Sequence, residues 1–75
     1  MAKRRDPLLR ALGARVRQLR EGKGWTQESL ADRAGLDRSY IAGIEAGLRN
    51  PSIRALGRIA KGLGVSVSDV VTKID

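Results

Sequence analysis

A chain of 75 residues forms one small domain that removes only about 60% of its unfolded surface from water, which excludes a deep substrate cavity. Aromatic residues are limited to Trp25 and Tyr40, so the core must be aliphatic. The absence of cysteine and histidine removes disulfides, thiolate chemistry and the commonest general base and metal ligand. Fifteen Lys and Arg against eight Asp and Glu leave a net charge of +7, which either favours a polyanionic partner, nucleic acid first, or marks a domain that is merely basic.

The N-terminal stretch MAKRRDPLLRALGARVR lacks the apolar core of a secretory signal. No apolar run approaches the roughly 18 residues needed to cross a bilayer, so a cytoplasmic protein with no membrane partner is expected. Residues 1–6 hold the basic run Lys3-Arg4-Arg5, which reads either as an arm reaching DNA or as an ordinary charged terminus. The domain proper is then 7–75. Asp6-Pro7 suits a helix start, and Leu8, Leu12, Val16 and Leu19 form one apolar stripe to about Glu21, opposite Arg10, Arg15, Arg17 and Gln18. Gly22-Lys23-Gly24 ends this helix, and Trp25 reads as core.

Thr26 is a good N-cap for a second helix, Gln27 to Ala34, whose inner face is Leu30, Ala31 and Ala34. Gly35 closes it and Asp37 is placed to cap a third, leaving a turn so short that the two helices must cross steeply. The third helix runs from Arg38 to about Ala46, before Gly47. Ser52 caps a fourth, with Ile53, Leu56, Ile59, Ala60 and Leu63 as its stripe and Gly64 as its end. The tail VSVSDVVTKI has a strand-like valine content, but Ser66 as a cap and the spacing of Val67, Val70, Val71 and Ile74 favour a short fifth helix. The fold class is therefore all-α.

At about 100° per residue, the third helix sets Ile41 and Ile44 on one side and Ser39, Ala42 and Gly43 on the other, with Arg38 at the flank. A mid-helix glycine costs roughly 1 kcal/mol relative to alanine. Small outward residues suit a helix pressed into a major groove about 12 Å wide, or they are neutral fillers on a solvated face.

The segment TQESLADRAGLDRSYIAGIEAGLRNPS resembles the Cro and phage-repressor type of helix-turn-helix domain, with the likeness running from about Leu12 to Val71. Within that family, GLDRSYIAGIEAGLRNPS is similar to the controller proteins of restriction-modification systems. The resemblance implies a compact five-helix lambda-repressor-like fold whose second and third helices form the helix-turn-helix. It implies a bacterial or phage-derived, nucleoid-associated regulator that binds double-stranded DNA as a homodimer, uses no cofactor or small-molecule ligand, and has RNA polymerase as a further candidate partner.

By the same resemblance, Arg38 and Ser39 hold the main base-contacting positions. An arginine can bond guanine O6 and N7 together, although a phosphate contact is the alternative for Arg38. Ala42 and Gly43 share the base-reading face but lack donors, so shape readout would carry more of the specificity. Gln27, Tyr40, Arg49, Asn50 and Ser52 are the phosphate-binding candidates, with Tyr40 also a packing residue. Arg20 and Glu45 would form a partly buried ion pair. Val67, Val70, Val71 and Ile74 offer apolar surface for a dimer interface, which would set two third helices about 34 Å apart. An antitoxin or adaptor acting mainly through protein binding is the alternative function, but no toxin-wrapping tail is expected after Asp75. Catalysis is not expected, because Asp32, Asp37 and Glu45 all have capping or pairing roles, and no metal site is foreseen.

Overall fold

The computed structural model describes residues 6–72 and folds them into five helices: α1 Pro7–Gly22, α2 Gln27–Ala34, α3 Arg38–Glu45, α4 Ile53–Leu63 and α5 Val67–Val71. No strand occurs among the described residues, so the tail takes the helical alternative. Lys3, Arg4, Arg5 and Ile74 lie outside the described residues.

Local chemistry accounts for the boundaries. The Asp6 carboxylate accepts from the Leu8 and Leu9 amides at 2.8 and 3.4 Å, and Pro7 opens α1 where a missing N–H is harmless. Thr26 and Ser52 accept from Ser29 and Ala55 at 3.1 and 3.0 Å. At α5 the Ser66 hydroxyl accepts from Asp69 N while the Asp69 carboxylate accepts from Ser66 N, a reciprocal box. Those bonds from Ser66 hold the Asp69 carboxyl below the usual carboxylate range. Asp37 departs from expectation. It holds the N-cap backbone position, but its side chain accepts no capping bond; the first turn of α3 is closed by its carbonyl, which accepts from Tyr40 and Ile41.

The core joins Leu12 and Val16 of α1, Leu30, Ala31 and Ala34 of α2, Ile41 and Ile44 of α3, Ile59, Ala60 and Leu63 of α4, and Val70 of α5. Burying each large aliphatic side chain contributes about 1.5 to 3 kcal/mol. Leu19 and Leu56 pack against this core half-buried, and two members of the expected stripes face solvent instead. Leu8 and Ile53 are 51% and 73% exposed, and Ala55 takes the inward place in the first turn of α4.

α1 packs on α3 and α5, while α2 packs on both α3 and α4. The α1 and α3 backbones meet at Gly13, where a Cβ would collide with the Ile44 carbonyl oxygen and stand 2.7 Å from that of Glu45. Glycine is needed here to let α1 press against the C-terminal end of α3. Gly13→Ala should therefore destabilise the domain by about 2 to 3 kcal/mol, lowering Tm by roughly 10 to 20 °C in a thermal circular-dichroism melt. A variant melting within a few degrees of wild type would show that the close approach is not a constraint.

Candidate nucleic-acid interface

The helix-turn-helix is α2 and α3 joined at Gly35, whose φ of 67° is a left-handed conformation that a side chain would strain. Leu36 N donates to Ala31 O at 2.9 Å across this turn, and the half-buried Leu36 packs onto the core. Ile41 and Ile44 are 0% and 1% exposed, so α3 is held from behind by apolar burial.

A polar clasp fixes its rotation. Glu45 accepts from Arg20 Nε at 2.7 Å and Arg20 Nη2 at 2.9 Å, a two-pronged pair whose side chains are only 3% and 10% exposed. Arg20 Nη1 donates to the Trp25 carbonyl at 2.7 Å, and Gln27 Nε2 donates to Glu45 Oε1 at 3.0 Å. The hydrogen bond to Glu45 raises the Arg20 pKa further, against the opposing effect of burial. No buried side-chain nitrogen or oxygen among the described residues lacks a partner. The clasp joins α1, the loop after it, α2 and α3, and it is wider than the two-residue pair expected from resemblance.

With its back secured, α3 turns Arg38 and Ser39 outward in its first turn, both exposed, with Ala42 and Gly43 half-buried alongside. Tyr40 is half-buried, packing on the core and meeting Ser52 at a shallow groove that Arg54 and Arg58 also line. Arg49, Asn50 and Ser52 are exposed in the segment leading into α4. The Arg49 guanidinium carbon lies 5.7 Å from the Tyr40 ring centre, a cation over an aromatic face. Arg54 and Arg58 are cations of this surface that the apolar-stripe reading passed over. Their spacing of four along α4 is the signal that marks them, and Arg58 Nη1 donates to Gly35 O at 3.4 Å.

Two expectations change. Gln27 is not simply presented to solvent, since one amide hydrogen is given to Glu45. Val70, assigned to a dimer interface, is 0% exposed within its own chain, because the α5 stripe must first cover α1 and α4. Val67 and Val71 stay half-buried. Among the described residues no group of three or more carboxylates gathers as a metal site would require, and no helix is long and apolar enough to cross a membrane.

The HTH_3 family model, described as helix-turn-helix, matches residues 16–70. An uncharacterized HTH-type transcriptional regulator of Sinorhizobium fredii, y4dJ, is 39% identical over 64 residues, covering 85% of this chain and 83% of its own. The restriction-modification controller protein C.AhdI from Aeromonas hydrophila superposes with a TM-score of 0.81 at 42% identity, over 83% of this chain and 94% of that one. C.Esp1396I bound to a 19 base pair DNA duplex also superposes with a TM-score of 0.81 at 42% identity, over 89% of each chain. Several other curated relatives are longer, and this chain spans between 42% and 59% of their length.

The clasp makes a measurable demand. Glu45→Leu leaves the buried Arg20 with only the exposed Glu21 carboxylate, 3.8 Å away, as counter-charge and should cost about 3 to 5 kcal/mol in chemical denaturation, whereas Arg20→Met combined with Glu45→Leu should cost clearly less than those two single changes summed. Additive losses would show the two charges to be uncoupled.

Proposed function

The chain belongs to the helix-turn-helix family of Cro and phage-repressor type, and from that membership we propose that it is a sequence-specific DNA-binding transcriptional regulator. The observation that carries this reading is the likeness to C.Esp1396I, at 42% identity, in a structure where that protein sits on a duplex. The exposed first turn of α3 on a helix locked from behind supports it, as does the net charge of +7.

Arg38 and Ser39 read base edges, and Ala42 offers a methyl to the groove. Tyr40, Arg49, Asn50 and Ser52 contact phosphates, joined by Arg54 and Arg58. Gln27 contributes as well, because a primary amide has two N–H donors and Glu45 takes one. The protein acts in the cytoplasm as a homodimer on a pseudo-palindromic site, with Val67 and Val71 in the interface, no catalytic role and no cofactor. Its similarity to controller proteins favours a role in a restriction-modification system, where contact with RNA polymerase would follow from binding a promoter.

A mobility shift with DNA from upstream of its own coding sequence, against random competitor, tests the reading. Equal affinity for both at physiological salt would sink it. Arg38→Ala should flatten preference at one base position per half-site, a loss of about 1 to 3 kcal/mol in discrimination, while Arg49→Ala should weaken all sequences alike and lower the salt slope by about 1. Equal losses on every sequence for both variants would overturn the division between reading and clamping. For the dimer, Val71→Asp should sediment at monomer mass with its helical spectrum retained; an unchanged dimer mass would place the interface elsewhere.

A further inference from the structure

Gly43 stands in the middle of α3, where alanine would make a better helix. What excludes a side chain there is neither core nor backbone. A Cβ at this position would stand 2.6 Å from Arg49 Cγ, 3.7 Å from Arg49 Cβ and 3.6 Å from Arg49 Nε, and these are its three nearest neighbours. Gly57, also inside a helix, has nothing within 4 Å of the same point. The arginine stem therefore lies directly across residue 43.

The route that brings it there is built into the end of α3. Gly47 has a φ of 75°, its N–H donates to Ile44 O at 3.0 Å, and Leu48 N donates to Gly43 O at 2.9 Å. This is the reversal that ends many helices, and it folds the chain back along the helix it has just left. Leu48, which in such motifs covers the last turn, is instead 64% exposed, and the next residue covers it. Tyr40 lies three positions before Gly43 on the same flank, and its ring sits 5.7 Å from the guanidinium carbon. Stem and head of Arg49 thus each have a seat on α3.

The geometry points to Gly43 as a positioning residue: its missing side chain is the seat that holds Arg49 against the flank of α3, with Tyr40 under the guanidinium. The inference rests on the DNA-binding reading for its functional consequence. A loop arginine has many rotamers to lose on binding, and fixing it beforehand shifts that ordering into the free protein. Residue 43 then serves binding through Arg49, which adds a cation from the loop to the one that Arg38 supplies from within the helix.

Four proteins decide it: wild type, Gly43→Ala, Arg49→Ala and the double variant, titrated against a duplex enriched by the wild type from a random-sequence library. Gly43→Ala should weaken binding about tenfold when Arg49 is present and less than twofold when it is absent. Its thermal midpoint should not fall, since alanine favours the helix. A methyl that met DNA directly would cost the same in both backgrounds, and that result, or no loss in either, would overturn the inference. The seat is also read without DNA. Arg49 side-chain protons should show a Tyr40 ring-current shift in the NMR spectrum that Gly43→Ala abolishes; a shift unchanged in the variant would overturn the inference whatever the titrations gave. Failure of the library to yield any preferred sequence would count against the regulator reading alone, leaving the seat to be judged by the NMR readout.

Discussion

Arg20 and Glu45 are opposite charges removed from water where α1 and α3 pack, and everything the outer surface can do depends on their staying matched. Taking one carboxylate and one guanidinium out of water costs several kcal/mol each, and the return comes only when geometry is good and every remaining donor is used. Here the guanidinium forks onto both carboxylate oxygens and spends a third donor on the Trp25 carbonyl, while Gln27 donates to the carboxylate as well. A slide or rotation of α3 would break several of these at once. Apolar burial of Ile41 and Ile44 supplies most of the holding energy but is indifferent to small rotations, so the directional clasp is what sets which residues face outward.

The close approach at Gly13 belongs to the same arrangement. α1 can present Arg20 to Glu45 at bonding distance because one of its earlier turns has no side chain to hold the helices apart. A glycine that weakens α1 as an isolated helix thus strengthens it as a partner, a local cost offset by a long-range contact.

Much of this was legible in the chain. Asp6-Pro7, Thr26, Ser52 and Ser66 mark starts, Gly35, Gly47 and Gly64 mark ends, and the apolar spacing between them names most of the core. What stayed hidden shares one physical cause: periodicity describes a helix, not what lies against it. It placed Leu8 and Ile53 on inward faces but said nothing of where their partners end. It could not separate Val70, enclosed by its own chain, from Val67 and Val71. The Glu45 partner Gln27, the seat of Gly13 on α3 and the cover that Arg49 gives Gly43 are contacts between elements, invisible to a pattern read along one of them. The uncapped Asp37 is a local miss, where a favourable residue type occupies the N-cap position without using its side chain.

The asymmetry of α3 has a consequence for descent. Its back is bound to α1 and α2, while Arg38 and Ser39 stand exposed in its first turn. On the base-reading role proposed for them, exchanges at those two positions would leave the fold's stability nearly untouched, so a lineage could drift to new target sequences without first acquiring compensating stabilisers. The flank at Gly43 is not free in that way. A Cβ there would stand 2.6 Å from the Arg49 stem, so on the proposed seating of Arg49 helix and loop would have to change together, and retargeting would be confined to the leading turn.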